Sequence, residues 1–149
     1  MQSSFTHINP DDHVILMAED SQDDILIAKR AWKTGQIKNP LHVVRDGEEA
    51  IDFLYKKGDY KDAPTPALML LDLNMPKMNG FEVLSTLKSD EKRKKMPIIV
   101  LTSSPRDKDI DRAYELGCNS YICKPVNFEN FIKAVIEIHQ YWLILCKIP

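Results

Sequence analysis

The stretch Leu68-Met-Leu-Leu-Asp72-Leu-Asn74-Met75-Pro76-Lys-Met78-Asn79-Gly80 decides how this chain folds. It begins as an unbroken apolar run, the pattern of a strand covered on both faces. It ends on one carboxylate, Asp72, where the strand gives way to a loop. Met75-Pro76 and Asn79-Gly80 then break the chain and launch a helix. A charge at the carboxyl end of a buried strand adds little stability and is well placed for chemistry.

The same rhythm repeats on either side. His13-Val-Ile-Leu-Met17 reads as a buried strand, and Ala18-Glu19-Asp20 comes directly after it. Asp20 or Ser21 can cap a helix whose acidic first turn, Asp23 and Asp24, suits the helix dipole. Ile25, Ala28 and Trp32 lie at helical spacing, and Gly35 stops that helix. Leu41–Val44 reads as a second strand, and Asp46-Gly47 opens a helix that packs through Ala50, Ile51, Phe53 and Leu54. Beyond Gly80, the residues Phe81, Val83, Leu84 and Leu87 mark a third helix. Its exit, Asp90 to Lys95, reads as a solvated charge run. Pro97 introduces the strand Ile98–Leu101, and Pro105 suits the first turn of a helix running to Gly117. Ser120–Cys123 is a fifth strand before Lys124-Pro125. Phe128, Phe131, Val135, Ile138 and Trp142 form the stripe of a last helix.

Strands alternating with helices five times predict an α/β fold, a doubly wound five-stranded parallel sheet covered on both faces by five helices. Residues 1–12 are expected as a flexible polar tail and 13–149 as the domain, including an extension of the last helix. Right-handed crossovers place every strand's carboxyl end on one edge. Glu19-Asp20, Asp72, Thr102 and Lys124 then share that edge, where open sheets bind their ligands. Carboxylates gathered there repel. Two unit charges about 4 Å apart interact by roughly 4 kcal/mol at an effective dielectric near 20. A cation relieves this, and an all-oxygen ligand set favours Mg²⁺, Mn²⁺ or Ca²⁺ over zinc, with Mg²⁺ the best fit. An ammonium and a hydroxyl, Lys124 and Thr102, complete a set that handles phosphate. Asp72 can then serve as a nucleophile that forms an acyl phosphate.

These residues resemble the signature of two-component response-regulator receiver domains, which are flavodoxin-like. The matching blocks are Glu19-Asp20, the run Asp72-x-x-Met75-Pro76-x-Met78-x-Gly80, Thr102, and Lys124-Pro125. The resemblance implies strand order 2-1-3-4-5. It implies that Asp72 accepts a phosphoryl group from a sensor histidine kinase, in a Mg²⁺-dependent reaction that makes the protein a switch rather than a conventional enzyme. Asp20 and Asp72 would hold the metal directly, Glu19 through water, and Asn74 through its backbone carbonyl. Thr102 and Tyr121 would form the switch, Lys124 would meet the phosphoryl group, and Pro125 would come after a cis peptide bond. The loop 56–66, the segment 101–110 and the tail Tyr141-Trp-Leu resemble stand-alone regulators that serve phytochrome-type kinases in cyanobacteria. Output would then run through docking, dimer exchange or phosphorelay.

Composition narrows the rest. A formal net charge of −2 over 149 residues gives no general attraction to nucleic acid or anionic lipid. The longest apolar runs, such as Tyr141–Cys146, are too short to span a bilayer, and the N-terminus lacks a signal peptide's pattern. Three cysteines without CxxC spacing fit reduced thiols, so a cytoplasmic protein is expected. The chain ends soon after the last helix, so no DNA-binding domain is expected beyond it. The apolar stripe continuing through Trp142, Leu143, Ile144 and Leu145 predicts a homodimer through the last helix. An aspartyl-phosphate hydrolase would place a second carboxylate two residues past its nucleophile, where this chain has Asn74. An FMN binder would need a phosphate loop where this chain has Glu19-Asp20.

Overall fold

A computed structural model describes residues 12–124 and 127–138. The elements run β1 (Ile15–Ala18), α1 (Gln22–Thr34), β2 (Leu41–Val44), α2 (Gly47–Tyr55), β3 (Leu68–Leu71), α3 (Gly80–Lys88), β4 (Ile98–Thr102), α4 (Asp107–Glu115), β5 (Ser120–Cys123) and α5 (Phe128–Ile138). All strand pairs are parallel, in the order β2-β1-β3-β4-β5. This is the predicted flavodoxin-like sheet.

The short strands work because successive side chains leave on opposite faces. Leu16, Ala18, Met69, Leu71, Ile98 and Val100 pack with residues of α2, α3 and α4 on one face. Ile15, Met17, Leu68, Leu70, Ile99 and Leu101 pack with α1 and α5 on the other. Every residue of β1, β3 and β4 is buried. Each large aliphatic side chain so buried contributes about 1.5–3 kcal/mol. Polar contacts close the flanks. Trp32 Nε1–H donates to the Asn39 carbonyl, and the Asn39 side-chain amide donates to the His13 carbonyl.

Register carries the chemistry to one edge. Ala18 pairs with Leu71, so Glu19 and Asp72 leave the sheet side by side, and Asp72 N–H donates to the Ala18 carbonyl at 3.0 Å. Thr102 pairs with Cys123, and Lys124 N–H donates to the Thr102 carbonyl.

Three local expectations are refined. Pro105 lies ahead of α4 rather than in its first turn, because Arg106 is the N-cap. The Ser104 carbonyl is occupied by the Tyr121 hydroxyl at 2.8 Å and the Cys123 thiol at 3.4 Å, which keeps residues before α4 out of the helix. At the end of α1, Gly35 keeps a right-handed conformation and Gln36 takes the left-handed one, with φ 54°. In the run Asp90–Lys95, Glu91, Lys92, Lys94 and Lys95 are exposed as expected, but Asp90 and Arg93 are half-buried. Asp90 accepts from the Tyr55 hydroxyl, and the Arg93 guanidinium stacks 3.9 Å from the Tyr55 ring centre. The bond before Pro125, the N-terminal tail through Asp11 and the helix extension from His139 onward lie outside the described residues.

Candidate phosphoryl-acceptor site

The loop after β3 fixes the position of Asp72. It folds back so that Gly80 N–H donates to the Leu73 carbonyl at 3.0 Å. A Cβ on Gly80 would stand 2.4 Å from the Asp72 carbonyl oxygen, so only glycine lets α3 begin this close to the carboxylate's own backbone. α3 then starts on a complete capping box. Asn79 Oδ1 accepts Glu82 N–H at 3.0 Å, and Glu82 Oε1 accepts Asn79 N–H at 3.3 Å. From the other side the β2–α2 corner braces the same loop. Gly47 lies so close to the Met78 backbone that a Cβ there would stand 1.8 Å from its carbonyl oxygen. Asp46 and Lys77 add a peripheral ion pair at 3.6 Å.

Glu19, Asp20, Asp72, Asn74, Ser103 and Lys124 line one open cleft together with Ser21 and Asp24. Oxygens of Glu19, Asp20 and Asp72 lie within 4.8 Å of one another, the one such cluster among the described residues. Glu19 is 1% exposed and Asp72 5%, whereas Asp20 faces solvent. Asp72 Oδ1 accepts Asn74 N–H at 3.2 Å. Thr102, fully buried, accepts from the Asn74 side-chain amide through Oγ1 at 3.3 Å.

Lys124 is the cation that keeps these acids together. Its Nζ donates to Glu19 Oε1 at 2.6 Å and to Asp24 Oδ2 at 2.7 Å, and stands 3.9 Å from Asp72 Oδ2. Burial works against the ammonium, but its bonds to Asp24 and Glu19 outweigh that and raise its pKa. Burial pushes the Glu19 carboxyl up to about 7, with Lys124 opposing and Asp72 adding to the rise. The donor set is all oxygen, negatively charged and partly open. It suits a hard divalent cation completed by water, and not zinc.

The predicted site residues Glu19, Asp20, Asp72, Asn74, Thr102 and Lys124 therefore converge. Tyr121, on β5, is half-buried, with its hydroxyl on the Ser104 carbonyl. Pro125 belongs to the undescribed residues. One member escaped sequence reading. Asp24 had an apparent role as an acidic residue in the first turn of α1, yet its carboxylate is committed to Lys124, 100 residues away. The only sequence signal was its S-x-x-D spacing from Ser21, which does not reveal the distant lysine.

The response regulator receiver domain model matches residues 15–136, and the chain belongs to that family. It is thus a receiver-type response regulator and not a conventional enzyme. Its similarity is high to response regulator Rcp1 of Synechocystis sp. strain PCC 6803, at 40% identity over 136 residues, covering 91% of this chain and 92% of Rcp1. The structure of the phosphorylated cyanobacterial phytochrome response regulator RcpA superposes with a TM-score of 0.83 at 37% identity, covering 90% of this chain and 96% of RcpA. The Mn²⁺-bound form of Rcp1 gives a TM-score of 0.83 at 39% identity, covering 92% and 99%. No helix among the described residues is long and apolar enough to cross a membrane.

Proposed function

We propose that Asp72 takes a phosphoryl group from a phosphohistidine of a sensor histidine kinase, and that Thr102 and Tyr121 convert this into a changed surface. The observation that carries the reading is the convergence on one sheet edge of a buried carboxylate, two further acids and an ammonium. Asp72 Oδ2 attacks phosphorus and forms the new O–P bond. The P–N bond to the donor breaks, and its electron pair stays on the imidazole nitrogen. Lys124, charged and 3.9 Å from Asp72, is within a small rotation of the arriving phosphoryl oxygens. The Thr102 hydroxyl, which now accepts from Asn74, is free to donate its own proton to one of them. Glu19, Asp20, Asp72 and the Asn74 carbonyl would hold Mg²⁺, with Mn²⁺ or Ca²⁺ as substitutes. A bound divalent cation would neutralise phosphoryl charge as it transfers.

The kinase is inferred to be of the phytochrome type, because the chain is similar along nearly its whole length to RcpA and Rcp1. A cytoplasmic location, a domain spanning 13–149 and a homodimer through the last helix complete the reading. The dimer rests on the apolar sequence Tyr141–Cys146. Beryllofluoride, which mimics an acyl phosphate, tests the switch without a kinase. With Mg²⁺ present it should shift the amide resonances of Asp72, Thr102, Ser104 and Tyr121 in wild type and leave them unmoved in Asp72→Asn. An unchanged wild-type spectrum would reject the reading.

A further inference from the structure

Ser21-Gln-Asp-Asp24 has the spacing of a capping box at the start of α1. Only half of the box forms. Ser21 Oγ accepts Asp24 N–H at 3.3 Å, but the Ser21 N–H donates to Glu19 Oε2 at 3.2 Å. The Asp24 carboxylate is therefore not spent on the cap and lies instead 2.7 Å from Lys124 Nζ. An ammonium has three N–H donors. Two of Lys124's reach Glu19 and Asp24, while the nearest Asp72 oxygen is beyond hydrogen-bond range at 3.9 Å.

We propose that Asp24 is a positioning residue that holds the Lys124 ammonium off Asp72 until the phosphoryl group is in place. This rests on Asp72 being the phosphoacceptor. An ammonium closed onto Asp72 would cover the lone pairs that a cation and the incoming phosphorus both need, and would repel the cation. Held by Asp24 and Glu19, it waits beside the site. The two anchors differ in strength. The Glu19 side chain is 1% exposed and that of Asp24 32%, so the Asp24 link is the more solvent-screened of the pair. It is the one that yields when phosphoryl oxygens, carrying more charge than a carboxylate, appear on Asp72.

The test is a double-mutant cycle read on Mn²⁺ affinity by titration calorimetry. The variants are Asp24→Asn, Lys124→Met and the double variant, with thermal melting to check that each is folded. Asp23→Asn removes the same charge from an exposed position in the same helix turn and serves as the control. Asp24→Asn should weaken Mn²⁺ binding about fivefold, and Asp23→Asn less than about twofold. Asp24→Glu, which keeps a carboxylate within reach, should restore affinity, and Asp24→Ser takes the place of Asp24→Asn throughout the cycle if the latter does not fold. In the Lys124→Met background, Asp24→Asn should have no more effect than the Asp23 control. An equal loss with and without Lys124, or a loss no larger than the control's, overturns the inference. Phosphoramidate labelling of wild type separates this from the parent reading. Label on Asp72 without coupling rejects only the role of Asp24, whereas no label rejects the phosphoacceptor as well.

Discussion

A carboxylate and two thiols show how much a single residue's surroundings decide here. Asp72 sits one residue past a buried strand, and its 5% exposure is tolerable only because Lys124 and the Asn74 N–H face it. Cys118 has less support than its burial demands. Burial pushes its thiol up to about 11, with Lys88 nearby opposing the rise, so at neutral pH it stays protonated and inert. Cys123 is exposed. Brief iodoacetamide treatment of the folded protein at neutral pH should label Cys123 and spare Cys118, as read by peptide mass spectrometry; equal labelling would contradict the burial of Cys118. Most of the site was legible at this scale, because Glu19, Asp20, Asp72, Thr102 and Lys124 each come directly after an apolar strand run. Asp24 was not, since its partner lies 100 residues away and local spacing suggested only a helix cap.

Among elements, the β3–α3 loop is the one most tightly fixed. Gly80 lets α3 abut Asp72, and Gly47 lets α2 abut Met78. Gly80→Ala would force a Cβ to within 2.6 Å of Leu73 Cα as well as against the Asp72 carbonyl. It should lower stability by about 1–3 kcal/mol in urea unfolding, and a stability equal to wild type would contradict this contact. Asn79→Ala removes one side of the capping box and should cost about 1 kcal/mol by the same measurement. At the opposite end of the sheet, Asp90 ties α3's exit to Tyr55 on α2. The Tyr55 hydroxyl, the Lys92 N–H and Arg93 hold its carboxyl at about 2, below the ordinary 3.8. A depressed acid stabilises the fold above its unfolded pKa and loses that contribution as pH falls through its folded one. The melting-temperature gap between wild type and Asp90→Asn should therefore be full above 3.8 and close as pH falls through about 2; a gap that widens in acid would reverse the assignment. Helices and strands were readable from periodicity, but the Tyr55–Asp90–Arg93 clamp was not, because a charge run in sequence carries no sign of a tyrosine on another helix.

For the whole molecule, the parallel sheet explains why distant residues meet. Strand alternation predicted the layers, and right-handed crossovers predicted one functional edge; the strand order came from family resemblance and matches the fold. The site lies on the edge shared by β1, β3, β4 and β5, and two hydrogen bonds lie between it and the start of α4. Thr102 holds Asn74's amide, and the Tyr121 hydroxyl holds the Ser104 carbonyl ahead of α4. A near-complete switch between two surface states needs a preference of about 5.5 kcal/mol, which charge-assisted bonds from Lys124 and Thr102 to a phosphoryl group can supply in large part. The central claim is that Asp72 is the group modified. Wild type and Asp72→Asn, each incubated with a phosphorylated histidine kinase and Mg²⁺ and then read by intact and peptide mass spectrometry, test it most directly. The account predicts one added phosphoryl group on wild type, located at Asp72, and none on the variant. A phosphoryl group at any other residue, or equal uptake by Asp72→Asn, would contradict it.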